Sequence, residues 1–100
     1  GKMCVSWMYD LAKSMSTPAT VLRRLAQSSE ASVRAAVATN PHTPVDLTWV
    51  LCRDNNPVVR AALARSSDLP EAVLHLLLAD ENVLVAQLAN QTRSRLRHAS

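Results

Sequence analysis

A chain of 100 residues, 48% of them apolar, holds enough material for one compact unit or a short array and is too apolar for a disordered segment. Its single glycine, Gly1, excludes glycine-built phosphate loops and a G-x-S-x-G nucleophile elbow. The net charge of +3, with nine of the eleven cations arginine, permits an acidic partner without demanding one.

Alanine occurs 15 times and Phe is absent, a composition that leans all-α because Ala has the highest helix propensity. Residues 5–14 are expected to form the second helix of an incomplete leading repeat. Its Leu11-Ala12-Lys13-Ser14 recurs two periods later as Leu63-Ala64-Arg65-Ser66. Next come Pro18, Pro44 and Pro70, each 26 residues after the last. Behind each proline lies a helical spacing of apolar residues: Val21, Leu22 and Leu25; Leu47, Val50 and Leu51; Val73, Leu74 and Leu77. These predict helices of about three turns, with Thr17 and Thr43 as N-caps and Asp68 with Glu71 as a capping box. Polar turns follow, Gln27-Ser28-Ser29-Glu30, Arg53-Asp54-Asn55-Asn56 and Asp80-Glu81-Asn82.

Second helices then start at about Ala31, Pro57 and Val83. The best-marked is the stretch Asp54 to Arg65, where Asn56 suits the N-cap and Pro57 the first helical position. The buried rows are expected to be Val33/Val59/Val85, Ala36/Ala62/Leu88 and Val37/Leu63/Ala89. The third copy also fits with a one-residue deletion that puts Leu88 opposite Leu63. Trp7, in the row of Val33 and Val59, is expected to cover an open end of the core. The resulting division is a half repeat or cap at 1–15, repeats at 16–42, 43–68 and a degenerate 69–92, and a basic tail at 93–100, all in one domain. No single helix pair can bury its own apolar face, so stacking of neighbours must make the core.

Thr-Pro-x-x-Val-Leu-x-x-Leu-Ala, a polar turn, and Val-Arg-Ala-Ala-Val-Ala-x-Asn-Pro-x-Thr-Pro together resemble the leucine-rich repeat variant family. Residues 17–44 carry the pattern almost whole and 43–70 most of it. The resemblance implies a short right-handed α-solenoid of stacked helix pairs in which the shorter helix can be 3₁₀. The turn around Asp54 also resembles a HEAT repeat, which implies a ladder of ion pairs from Asp54 and Asp80 to Arg34 and Arg60, broken at Ser28 and Ala86. Some members of the family carry an iron–sulfur module with clustered cysteines. Cys4 and Cys52 stand alone, so no cofactor is expected.

Arg34 and Arg60 read as structural rungs rather than a binding row, because a residue that recurs with the fold serves the fold. Arg23, Trp49 and His75 occupy one row off the core. There an exposed Trp beside Arg suits a partner surface and a cation–π contact, or else Trp49 fills the gap left by Thr48. Arg24, Arg53 and Arg65 extend the candidate partner-binding set. His42, His75 and His98 lack ligand spacing, so no metal site is expected, and no catalytic motif appears.

The expected function is a non-catalytic module that binds another protein. The alternative is nucleic-acid binding through an Arg-rich face along the phosphate backbone. Exposed end repeats also allow self-stacking. The separated cysteines fit a reduced, cytoplasmic setting, and no apolar run is long enough for a membrane span. Gly1-Lys2, with no initiator Met and no signal-peptide pattern, is expected of a piece of a longer protein.

Overall fold

The structure, a computed structural model, describes residues 5–66 and 69–99. It consists of seven α-helices: α1 Val5–Lys13, α2 Ala19–Leu25, α3 Ala31–Thr39, α4 Val45–Leu51, α5 Pro57–Ala64, α6 Glu71–Leu78 and α7 Val83–Ala99. The described residues contain no strand and no 3₁₀ helix. The first helices of the pairs are therefore short α-helices of seven or eight residues, about two turns rather than three.

Two layers result. The second helices α1, α3, α5 and α7 stack side by side as a continuous layer. The first helices α2, α4 and α6 pack onto that layer and make little contact with one another. The body measures 41 × 27 × 18 Å, long in one direction as stacked repeats must be. Its core is the seam between the layers, where Leu22, Val33, Val59, Leu63, Val73, Leu77, Val85 and Ala89 are all at 0% exposure. Truncating one of these, such as Leu63→Ala, removes about 2–5 kcal/mol.

The buried rows decide the register of the third copy. Val85 and Ala89 are fully buried, as Val59 and Leu63 are 26 residues earlier, and Leu88 is only half-buried. The copy therefore runs without a deletion.

The caps come out differently from the sequence expectation. Asn56 does cap α5, its Oδ1 accepting from the Val58 N–H at 2.9 Å ahead of Pro57. Asn82, one period on, does the same for α7, accepting from Leu84 and Val85. Thr17 and Thr43 do not cap. The N-cap residues of α2, α4 and α6 are the prolines Pro18, Pro44 and Pro70, with no side-chain cap bond. The threonine hydroxyls instead point backwards and donate to the carbonyls of Leu11 and Val37, each at 2.6 Å. They add a second donor to acceptors at the end of the preceding second helix, the Leu11 and Val37 carbonyls, which also accept the Ser14 and Asn40 N–H groups. Asp68 of the expected capping box lies outside the described residues, as does Cys4.

Both ends also differ from expectation. Residues read as a basic tail continue α7 without a break to Ala99. Thr92 is buried inside this helix and donates to the Ala64 carbonyl at 2.5 Å, which ties the helix to the preceding repeat. Trp7, expected to cover the end of the core, is itself 54% exposed, and Leu11 beside it is exposed as well. Their equivalents Val33 and Val37 are fully buried beneath α2 and α4, a service no described helix performs for α1.

Candidate functional site

The rungs form as the turn chemistry requires. Arg34 donates from Nε to Asp54 Oδ2 at 2.8 Å and from Nη2 to Oδ1 at 3.1 Å, while Nη1 reaches the Ser28 carbonyl at 2.8 Å. Arg60 repeats the pattern on Asp80 at 2.8 and 3.3 Å and on the Asp54 carbonyl at 2.6 Å. Asp54 and Asp80 also each accept a backbone N–H two residues on, from Asn56 and Asn82. Each rung thus closes a turn and bolts it to the previous second helix. Burial opposes ionisation of Asp54. The bonds from Arg34 and Asn56, with the charges of Arg34 and Arg60, outweigh that and hold its carboxyl below the ordinary value. The bond from Asp54 raises Arg34 further. Both arginines thus use all three guanidinium nitrogens on the fold, and Asp54 both its carboxylate oxygens.

At Ser28 the ladder ends in step. The residue one period before Arg34 is Met8, so an aspartate at 28 would have no arginine to meet. Ser28 keeps the turn with a neutral hydroxyl that accepts from the Glu30 N–H at 3.1 Å.

The outer row is scattered in its contacts. Arg23 forms a bidentate pair with Asp46 of the next first helix. Both groups are well exposed, and their mutual hydrogen bonds raise Arg23 and lower Asp46. The expected cation–π contact to Trp49 is not made, because the guanidinium is taken by Asp46. The ring contact found among the described residues is Lys13 over Tyr9, 5.2 Å from the centroid. Trp49 is 38% exposed on α4, and Thr48 beside it is buried with its hydroxyl on the Val45 carbonyl. His75 lies on α6 at a smaller cavity of about 390 Å³, with Leu69, Glu71, Leu74, Arg93 and Leu96 among its lining. Arg24 and Arg53 are exposed, on α2 and just after α4. Cys52 is a buried free thiol that donates from Sγ to the Trp49 carbonyl at 3.1 Å, and burial pushes its pKa up, which makes it a poor nucleophile.

A larger concavity lies on the other layer. A groove of about 940 Å³ runs across α1, α3, α5 and α7. The two central helices each turn one stripe toward it at i, i+3, i+4 and i+7. On α3 the stripe is Ser32, Ala35, Ala36 and Thr39; on α5 it is Val58, Ala61, Ala62 and Arg65. The floor is shallow because its side chains are small, while Tyr9, Lys13, Leu84, Leu88 and Arg95 build it up at the ends. Of the residues expected to bind a partner, only Arg65 lines this groove. The rest lie on the first helices or, for Arg53, in the turn after α4. The signal for the groove is the small-residue stripe of α3 and α5; Ala62 and Leu88, expected in a buried row with Ala36, are half-buried in its lining.

Among the described residues no three His, Cys, Asp or Glu side chains gather as metal ligands, and no helix is long and apolar enough to cross a membrane. No curated protein and no solved structure matches the chain. A family model does: the Leucine Rich Repeat Variant domain matches residues 6–67, more than half the sequence. That segment contains the first two helix pairs, α2 with α3 and α4 with α5, and both arginines of the Asp–Arg ladder, and on this match the chain belongs to the leucine rich repeat variant family.

Proposed function

We propose that this chain is a non-catalytic binding module whose concave groove, floored by α1, α3, α5 and α7, receives another protein. The observation that carries the reading is the groove itself. It spans every repeat, its floor is held by the fully buried seam behind it, and its lining is left free by the Asp–Arg rungs, which sit in the turns. A repeat array supplies this kind of extended surface without needing a chemical motif.

A photo-crosslinking amino acid placed at Ser32, in the groove, should label partners in a cell extract more strongly than the same group at Val45, on the outer face of α4. Stronger labelling from Val45 would move the site to the outer row of Arg23, Trp49 and His75. The exposed indole of Trp49 speaks for that second reading. Phosphate-backbone binding has less support, since Arg23, Arg34 and Arg60 are each paired to a carboxylate.

A further inference from the structure

Three charged side chains line the groove, Lys13, Arg65 and Arg95, and no carboxylate does. They share an edge. Lys13 and Arg65 stand two periods apart in one row, and Arg95 is held beside Arg65 by a bond to its carbonyl at 3.3 Å. No described carboxylate pairs with any of the three, whereas Asp46, Asp54 and Asp80 each neutralise an arginine elsewhere. Asp10, which the period places in the row of Ala36, is exposed on α1 and is not part of the lining. The opposite edge is largely apolar, with Ser32 as the α3 member of its row. Val58 and Leu84, one period apart, are 61% and 59% exposed there. Along α5, Val58 and Arg65 are two turns apart, about 10 Å at the rise of an α-helix.

From this we infer that the groove's occupant is an acidic amphipathic helix of a partner protein, lying across the second helices. Its apolar flank rests on Val58 and Leu84, and its carboxylates face Lys13, Arg65 and Arg95. The edge-to-edge span equals the width of a helix with its side chains, about 10–12 Å. The small floor residues let the helix backbone come close, as in other helix-in-groove complexes. Four helices at about 8–10 Å spacing make a track of roughly 30 Å, which a partner helix of about 20 residues fills. Uncompensated cations along one edge set direction and register for such a ligand, and the apolar edge keeps it from being a pure charge contact. The inference rests on the groove being the binding surface and adds the chemistry of what binds there.

Three fluorescein-labelled 20-residue peptides test it by anisotropy titration at about 0.15 M salt: a Glu/Leu amphipathic helix, the same helix with Lys for Glu, and a shuffled Glu/Leu peptide. The Glu/Leu helix should bind at least tenfold more tightly than either control. The double substitution Lys13→Glu with Arg65→Glu should weaken it tenfold or more. Val58→Ser with Leu84→Ser should weaken it severalfold, and Arg24→Glu should leave it unchanged. Circular dichroism confirms that each variant is helical before its affinity is counted. Equal binding of the Glu and Lys helices, or an equal loss from Arg24→Glu, overturns the inference. So does an oligonucleotide, single- or double-stranded, that binds more tightly than the Glu/Leu helix and is released by Lys13→Glu with Arg65→Glu. If crosslinking from Ser32 persists while the acidic helix fails to bind, the charge argument falls and the groove remains the site. If crosslinking also moves to Val45, both fall.

Discussion

At the scale of the residue, the most informative side chains are the two arginines that repeat. Arg34 and its carboxylate are 15% and 10% exposed, so removing one partner strands the other in a poorly hydrated place. Arg34→Ala should cost about 3 kcal/mol by urea denaturation, near the lower end of the range for buried pairs. Arg34→Met combined with Asp54→Asn should recover much of that, because the introduced amide keeps an oxygen for the Asn56 N–H while neither charge remains. Arg23→Ala should shift the midpoint little, since both members of its pair are exposed. The pH dependence follows from the lowered Asp54. Its folded-state pKa lies below its unfolded value, so the unfolded chain binds more protons between the two and stability rises with pH there. The contribution is fully present above about pH 4 and is lost as the pH falls through the folded pKa. Midpoints measured from pH 6 downward should therefore drop in acid, with a shallower drop in Asp54→Asn.

At the scale of the element, the starts of the second helices were legible because punctuation and periodicity agree. Asn56-Pro57 and Asn82-Val83 open α5 and α7 where the apolar spacing begins. Thr17 and Thr43 misled because a threonine before a proline looks like a cap, and nothing local says that its hydroxyl will serve a helix six residues upstream. Asn40 was equally unreadable. It donates from Nδ2 to the carbonyls of Ala12 and Ser14 at 2.7 and 2.8 Å and accepts from the His42 N–H, joining α3 to the end of α1. Thr92 stands two periods later in the same role for Ala64. These bonds link residues 26 or 28 apart, a distance at which sequence spacing has no stereochemical meaning until the repeats are stacked. Asn40→Ala should cost about 1–3 kcal/mol by taking the side-chain donor from the buried Ala12 carbonyl, more than Asn40→Ser, as read from thermal midpoints.

At the scale of the whole molecule, the array was legible from the 26-residue period, and the groove was not. Sequence reasoning looked for function where the copies differ and so selected Trp49 on the outer layer, while the groove arises where copies are similarly small, at Ala35, Ala36, Ala61 and Ala62. Its concavity comes from stacking, which no single copy encodes. Stability in such an array is a sum of neighbour terms, so hydrogen exchange should be slowest in α3 and α5, each flanked by two second helices, and faster in α1. Uniform protection along the chain would contradict that picture. The two layers also differ mechanically. Close packing of α1, α3, α5 and α7 resists any tightening of the curve, as a row of touching rods resists compression. The gaps between α2, α4 and α6, bridged on the first two by the exposed Arg23–Asp46 pair, leave room for straightening. The module is thus a leaf spring with a stop on one side, soft toward flattening and stiff toward closure, and tension applied along its length would be spent first in opening the groove.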